Sequence, residues 1–467
     1  MRAKMILALS YLIPFSLVCI YISTTATNYV YGDEIYVIKG GIIENYLNGT
    51  LALADLWRPF LSIRALGYSI LLLADVKWFS MNSIFFILMI PFFLLISASL
   101  MFHEYRKSLI ADRSPEFIAA SFIFLSFIIF NVIQWEALTY RVSFFIQSAM
   151  PLIIASFISL ESYITKGRKY WLQAFILPVL AVLVFGWTPV FAFAPALGLT
   201  FLCFVMTNRS LLTKDFWIRV LIISLLLIVI AFIYMFRIRQ NDYLPYLGPE
   251  YFLIQSLAHP LEAMQFLLAA FGASIIGIDT FYAYDFFSFH HIAVIGFFVL
   301  LLYVLALFLF FRSRMYERTY LPFFLIIHVF FFLAFVTIAR FGLNDIAMGM
   351  SSRYTCVSIY GLMSIIWIFV YFLVVHTRSS VLIKSLIGAG FVMIFTGLLL
   401  TSIVVWHVQP VRKANFEQLY DIAMRVDTAT YDELLKFEAP PEQVRDSLRL
   451  LRQHKLNIYH STIPVGK

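Results

Sequence analysis

The chain has 467 residues, of which 62% are hydrophobic and only 13% charged. Soluble domains carry roughly a quarter charged residues, so this composition excludes an ordinary soluble protein and points to an integral membrane protein with many spans. The net charge of +8 sits in short segments between apolar runs, which excludes a nucleic-acid footprint, and the three cysteines lie inside apolar segments without metal-like spacing.

The first segment, "MRAKMILALSYLIPFSLVCIYIS", has basic residues followed by an apolar stretch and no clean small-x-small cleavage site. It reads as a retained first span rather than a cleaved signal. Apolar runs of ~20 residues predict further spans. They fall near 5–23, 81–102, 115–133, 143–160, 171–187, 189–206, 216–236, 289–311, 319–338, 353–375 and 381–406. The fold class is therefore an all-α, polytopic transmembrane helical bundle of about 11 spans. Helices are favoured over a barrel because strand-type alternation is weak. A break at Gly186, Trp187, Thr188 and Pro189 separates two of the spans.

Basic residues at Arg2 and Lys4, Arg106 and Lys107, Lys166 and Lys169, Lys214 and Arg219, Arg312 and Arg314, and Arg378 and Lys384 fall on one side of this arrangement. The positive-inside rule makes that side cytoplasmic. The N-terminus is then inside and the tail outside the membrane. The segment 250–276 is apolar, but no basic residue marks its far side, which predicts a re-entrant or surface-lying hairpin. The chain divides into a transmembrane domain, 1–406, and an extracytoplasmic helical tail, 407–467, whose composition is that of a soluble protein. In that tail "KANFEQLYDIAMRV" and "APPEQVRDSLRLLRQHKLNIY" read as amphipathic helices, the second opened by Pro441 and Glu442.

The long first outer loop, 24–80, contains "TNYVYGDEIYVIKGG". Ile35, Ile38, Ile42, Ile43 and Tyr46 share one helical face, which predicts a helix lying in the interface plane and closed by Asn48 and Gly49. A second helix is expected from near Pro59. Asp33 stands at the start of the first. One reading makes it an N-cap, with Glu34 placed against the helix dipole. The other makes it a general base, because a carboxylate within hydrogen-bond reach of an acceptor hydroxyl can take its proton. Both readings stay open from local sequence.

Two further outer segments carry polar side chains. "QWEALTYR" holds Gln134 and Glu136, the latter expected to pair with Arg141. "TIARFGLNDIAMGMSSRYTCVSIYG" holds Arg340 at the end of one span and Arg353 and Tyr354 at the start of the next. These arginines sit on the outer side, against the charge bias of the chain. A guanidinium is a planar fork that grips phosphate oxygens in two places. Ser351 and Ser352 are candidate caps of the following helix. The bland alternative is two arginines snorkelling at helix ends. His290 and His291 lack acidic companions and read as interfacial polar residues, not as a metal site. No P-loop, nucleophile elbow or HExxH motif is present.

The stretches "NGTLALADLWRPFLSIRALGYSILLL", "QWEALTYR", "IARFGLNDIAMGMSSRYT" and "PPEQVRDSLRLLRQHKLNIY" resemble a family of bacterial polytopic proteins related to the GT-C glycosyltransferase superfamily. The likeness runs nearly end to end, with little signal over 161–320. It implies a GT-C-like fold with interfacial helices in the first outer loop. It implies transfer of a sugar from a polyprenyl-phosphate-linked donor to an extracytoplasmic glycan or lipid-linked acceptor; no cofactor is expected, and no residues of the chain are assigned as metal ligands. By the same resemblance Asp33 is the candidate base, with Glu34 the close alternative. Arg340, Arg353 and Tyr354 are candidates for the carrier phosphate, and Arg58, Arg64, Gln134 and Glu136 for lining the acceptor or donor. Where relatives carry a polar His-Asn-Glu-His-Arg run after "DLW", this chain has "RPFLSIR", in which only Arg64 is retained; a different substrate or reduced activity follows if that run contacts substrate. The alternatives are a transporter or flippase for a lipid-linked or anionic substrate, and a polysaccharide polymerase. The near-absence of midplane charge and of internal repeats argues against passage.

Overall fold

The structure is a computed structural model. It describes residues 2–57, 66–166, 170–185, 188–207, 249–284, 287–341 and 346–460, with isolated positions between 214 and 225. All regular structure among the described residues is helical. Eight helices are long and apolar enough to cross a membrane: Arg2–Thr25, Ser83–Leu109, Pro115–Thr139, Arg141–Lys166, Phe289–Arg312, Leu321–Arg340, Ser352–Val375 and Val381–Met424. The chain is a multi-pass membrane protein built as an all-α bundle.

These eight match eight of the expected spans. The expected spans 171–187 and 189–206 correspond to helices Trp171–Phe185 and Thr188–Thr207, and the expected break at Gly186 and Trp187 lies outside the described residues. The expected span 216–236 lies, apart from isolated positions, outside the described residues.

Helix Ser352–Val375 is the axis of the bundle. In its most apolar window 94% of residues are buried, against 28% for Arg2–Thr25 at the periphery. Trp367, fully buried, donates its indole N–H to Ser108 Oγ at 3.1 Å. Without water in the bilayer, such a polar atom must find its partner inside the protein. Small residues allow close helix contact elsewhere. Gly296 of Phe289–Arg312 faces Gly272 and Leu268 of helix Pro260–Ala273, and an added Cβ there would overlap the Leu268 carbonyl.

The 250–276 segment is two helices, Pro249–Ala258 and Pro260–Ala273, of 10 and 14 residues. Neither reaches the ~20 residues that a span needs. The second is not surface-lying: it packs into the bundle through Gly272, with Phe266 against Gly349 and Phe341.

The last span does not stop where hydropathy falls at 406. Helix Val381–Met424 has 44 residues, or about 66 Å at 1.5 Å per residue, twice the ~30 Å hydrocarbon core. Its C-terminal part therefore projects from the bundle. The chain then turns back through Tyr431–Leu435 and Pro441–Gln453, the latter beginning at Pro441 as expected.

The returning tail clamps the first loop. Ser447 Oγ donates to the Ile35 carbonyl at 3.2 Å and accepts from Lys39 N at 3.3 Å. Asn457 bonds Ser80, Met81 and Asn28. The expected single interfacial helix is split into Ile35–Ile38 and Ile42–Leu47, because Gly40 takes a left-handed φ of +71° between them. Its apolar face is turned inward, not to lipid: Ile35, Ile38 and Ile43 are fully buried, with the tail packed on Ile35–Ile38 and helix Leu66–Phe79 on Ile42–Leu47. The second loop helix is Leu66–Phe79, and the expected start near Pro59 lies outside the described residues.

Candidate functional site

Four segments converge at the end of the bundle where Arg2–Thr25 finishes and Ser83–Leu109 begins. They are the first loop, "QWEALTYR", the start of Ser352–Val375, and the returning tail. Gly32, Asp33 and Glu34 form one turn of 3-10 helix. In this turn the two carboxylates leave the backbone in different directions and meet different partners.

Neither caps a helix. Glu34 precedes Ile35–Ile38 without a side-chain bond to its amides, which corrects the capping expectation. Glu34 instead runs inward, 1% exposed, to Arg141, with Oε1 accepting from Nε at 3.1 Å. Arg141 Nη1 donates to Asp75 Oδ2 at 2.8 Å, and Asp75 is fully buried. One guanidinium thus joins the first loop, helix Leu66–Phe79 and the start of a span. Burial pushes the Glu34 carboxyl up to about 7, with Arg141 opposing the shift. Burial likewise raises Asp75, again opposed by Arg141. The expected Glu136–Arg141 pair is not formed; two loop carboxylates already occupy Arg141.

Asp33 faces the other way. Its Oδ2 lies 3.4 Å from Arg353 Nη1, and both side chains retain about a quarter of their exposure, 26% and 23%. Arg353 Nη2 meets Glu136 Oε1 at 2.6 Å. Glu136 Oε2 accepts from Ser351 Oγ at 2.8 Å and Ser352 Oγ at 3.3 Å, and Glu136 N donates to Ser352 Oγ at 3.1 Å. The two serines therefore orient Glu136 instead of capping their own helix, as had been expected; Ser351 makes no side-chain cap bond. The Arg353 guanidinium also lies over the Tyr140 ring, 5.9 Å from its centroid. Tyr140 in turn packs on Tyr31 and donates to its carbonyl at 3.2 Å.

Arg340 is half-buried beside this group, and its Nε donates to the Tyr354 hydroxyl at 3.0 Å. Asp33, Glu136, Arg340, Arg353 and Tyr354 are thus brought into one neighbourhood from four stretches of sequence. Gln134 turns away from it: fully buried, its Nε2 donates to Ile129 O at 2.7 Å and its Oε1 accepts from Gln147 at 2.6 Å. Arg58, Arg64, Asn344 and Asp345 lie outside the described residues.

A second buried arginine, which sequence reasoning did not single out, stands next to the site. Arg412, on the projecting part of Val381–Met424, pairs with Asp279 Oδ1 at 2.8 Å, bonds the Tyr21 hydroxyl, and stacks on Trp135 with 3.5 Å to the ring centroid. Burial raises the Asp279 carboxyl, with Arg412 opposing. Trp135 immediately precedes Glu136, so this stack fixes the backbone that carries it. The available signal was a basic residue two positions after Pro410, in a helix that continues beyond the apolar run. Among the described residues no group of three His, Cys, Asp or Glu side chains is arranged to hold a metal ion.

No family model matches the chain, and no curated protein matches it. Among solved structures the chain is similar to the crystal structure of ArnT from Cupriavidus metallidurans in the apo state. The identity is 12%, the likeness covers 96% of this chain and 76% of that one, and the TM-score is 0.42. A score of that size carries no argument, so function is read from the residues of this chain.

Proposed function

We propose that the protein is a membrane glycosyltransferase of the GT-C type. It moves a sugar from a polyprenyl-phosphate-linked donor to an extracytoplasmic glycan or lipid-linked acceptor, at the outer face of a bacterial inner membrane. The observation that carries this reading is the approach of the Asp33 carboxylate to Arg353, with Arg340 alongside, at one end of a membrane bundle. The sequence resemblance supports the same assignment.

In this reaction Asp33 accepts the proton of the acceptor hydroxyl as that oxygen attacks the anomeric carbon. The bond from that carbon to the phosphate oxygen breaks, and its electron pair leaves with the phosphate. Cations placed where this charge develops stabilise the transition state. Arg353 is already matched by Asp33 and Glu136, so its first task is to hold the base. Arg340 has no carboxylate partner among the described residues, which makes it the first grip on the carrier phosphate. Glu34 is spent on Arg141, which leaves Asp33 as the base.

The test is Asp33→Asn and Arg340→Ala in cells whose only copy is the variant, reading surface glycans by mass spectrometry. Loss of a general base lowers rate by about 10²–10⁴-fold, so Asp33→Asn is expected to abolish the product. Full product from a well-expressed Asp33→Asn protein would refute the assignment.

A further inference from the structure

We propose that Glu438, on the C-terminal tail, is part of the same site and orients the acceptor by accepting hydrogen bonds from its hydroxyl groups. This rests on the transferase reading above and extends it to a segment that the first loop and the bundle do not contain.

The argument starts from local backbone. Helix Tyr431–Leu435 ends at Lys436, and two residues later Glu438 takes φ +55°. A left-handed residue just beyond a helix is usually Gly or Asn, because a larger side chain is strained there. Here a glutamate occupies it. The strain has a geometric result: the Glu438 side chain is thrown back across the first loop. The residue before it, Phe437, accepts a backbone bond from Gly32 N at 2.8 Å. This bond fixes the tail against the turn that carries Asp33. Gly32 is itself left-handed, at φ +56°, and the place where its Cβ would stand is 3.8 Å from Glu438 Oε2 and 3.2 Å from Tyr140 Oη. A side chain at Gly32 would thus crowd the gap between the tail and Tyr140.

Partial burial raises the Glu438 carboxyl, and the charges of Glu136, Arg353 and Asp33 also act on it. The side chain is exposed, so it stands at the mouth of the group and not within it. Three carboxylates, Asp33, Glu136 and Glu438, stand around Arg353, and with Arg340 counted this side still carries an excess of negative charge among the described residues. Such a surface repels an anionic acceptor group and suits an uncharged, hydroxyl-bearing one, such as a neutral sugar, whose O–H groups a carboxylate can accept. The phosphate then enters on the side of Arg340, which is bonded to the neutral Tyr354 hydroxyl.

The test compares Glu438→Gly, Glu438→Asn and Glu438→Asp with Asp33→Asn in the same cells, alongside the melting temperature of each purified protein. Gly and Asn both accept the left-handed backbone, so the expected melting temperatures of the Gly and Asn variants equal or exceed that of the unsubstituted protein. Both are expected to lose product by about tenfold or more, as removal of a substrate-positioning contact does. Glu438→Asp keeps the charge and is expected to retain more product than Glu438→Asn. Product at the normal level in both Glu438→Gly and Glu438→Asn, with Asp33→Asn inactive, would overturn the role of Glu438 and leave the transferase reading standing. Full product from Asp33→Asn would overturn both.

Discussion

Replacing Arg141 by Met is the sharpest perturbation of the architecture behind the site. The Arg141 side chain is 3% exposed and is the partner of both Glu34, at 1%, and Asp75, at 0%. Removing one partner of a buried ion pair costs about 3–5 kcal/mol, because the remaining charge is left without compensation. Here two carboxyls are left, so the upper end of that range is expected only at a pH high enough to keep both ionised. The effect must also depend on pH. The folded protein holds the Glu34 carboxyl at about 7, against 4.5 ordinarily. Its favourable contribution is complete below about pH 4.5 and is lost as pH rises through 7. Without Arg141 the carboxyl rises further, so the gap between variant and unsubstituted protein widens with pH and narrows in acid. The assay is unfolding by SDS titration in mixed micelles at pH 5.5, 7 and 8.5. Adding Glu34→Gln and Asp75→Asn to Arg141→Met removes both stranded charges and is expected to recover part of the loss. A cost below about 1 kcal/mol, or one that is the same at all three pH values, would refute the claim that Arg141 neutralises two buried carboxylates.

Two further perturbations test the packing around this end. Gly296→Ala drives a methyl into the Leu268 carbonyl and to within 2.8 Å of Gly272 N; overpacking costs about 1–3 kcal/mol, so a lower melting temperature is expected, and an unchanged one would show that the two helices separate freely. Arg412→Met strands Asp279 and unstacks Trp135, at an expected cost of about 3 kcal/mol. Arg412→Lys should recover only part of it, since an ammonium lacks the planar face that stacks on the ring; full recovery would mean that the stack contributes nothing to stability.

Much of the fold was legible because spans are written in composition. An apolar run of ~20 residues has few alternatives inside a bilayer, and eight runs became eight long helices. Element ends were less legible. Hydropathy falls at 406, yet backbone hydrogen bonding does not depend on hydropathy, and the helix continues to Met424. The loop helix failed for a local reason: its apolar spacing was real, but Gly40 and Gly41 interrupt it, and the tail and helix Leu66–Phe79, not lipid, cover its buried face.

In the site, sequence gave the players but not their pairing. Arg353 was suspected because it breaks the charge bias of the chain, and it does stand beside Asp33. Its pairing with Glu136, and that of Arg141 with Glu34 and Asp75, depends on contacts between residues from 66 to more than 200 positions apart, which no local pattern encodes. Glu34 and Asp33 are neighbours in sequence with opposite fates, one buried against Arg141 and one half-open beside Arg353. That separation follows from a single 3-10 turn, whose geometry is set by the left-handed Gly32 and its bond to Phe437.

The arrangement has a consequence for how charge is distributed during a reaction. Arg141, Arg353 and Arg412 are each matched by carboxylates at 3.4 Å or less. A matched guanidinium in a low-dielectric setting is a positioning device: moving it away from its carboxylates leaves them uncompensated. Arg340, bonded to the neutral Tyr354 hydroxyl and half-buried, has no such debt among the described residues. For the phosphate of the proposed donor, Arg340 would offer an attraction with no competing carboxylate among the described residues. From Arg353 the phosphate would gain only what competition with Asp33 and Glu136 allows. On the proposed reaction, a phosphate that draws Arg353 from Asp33 would release that carboxylate to take a proton once the leaving group is in place.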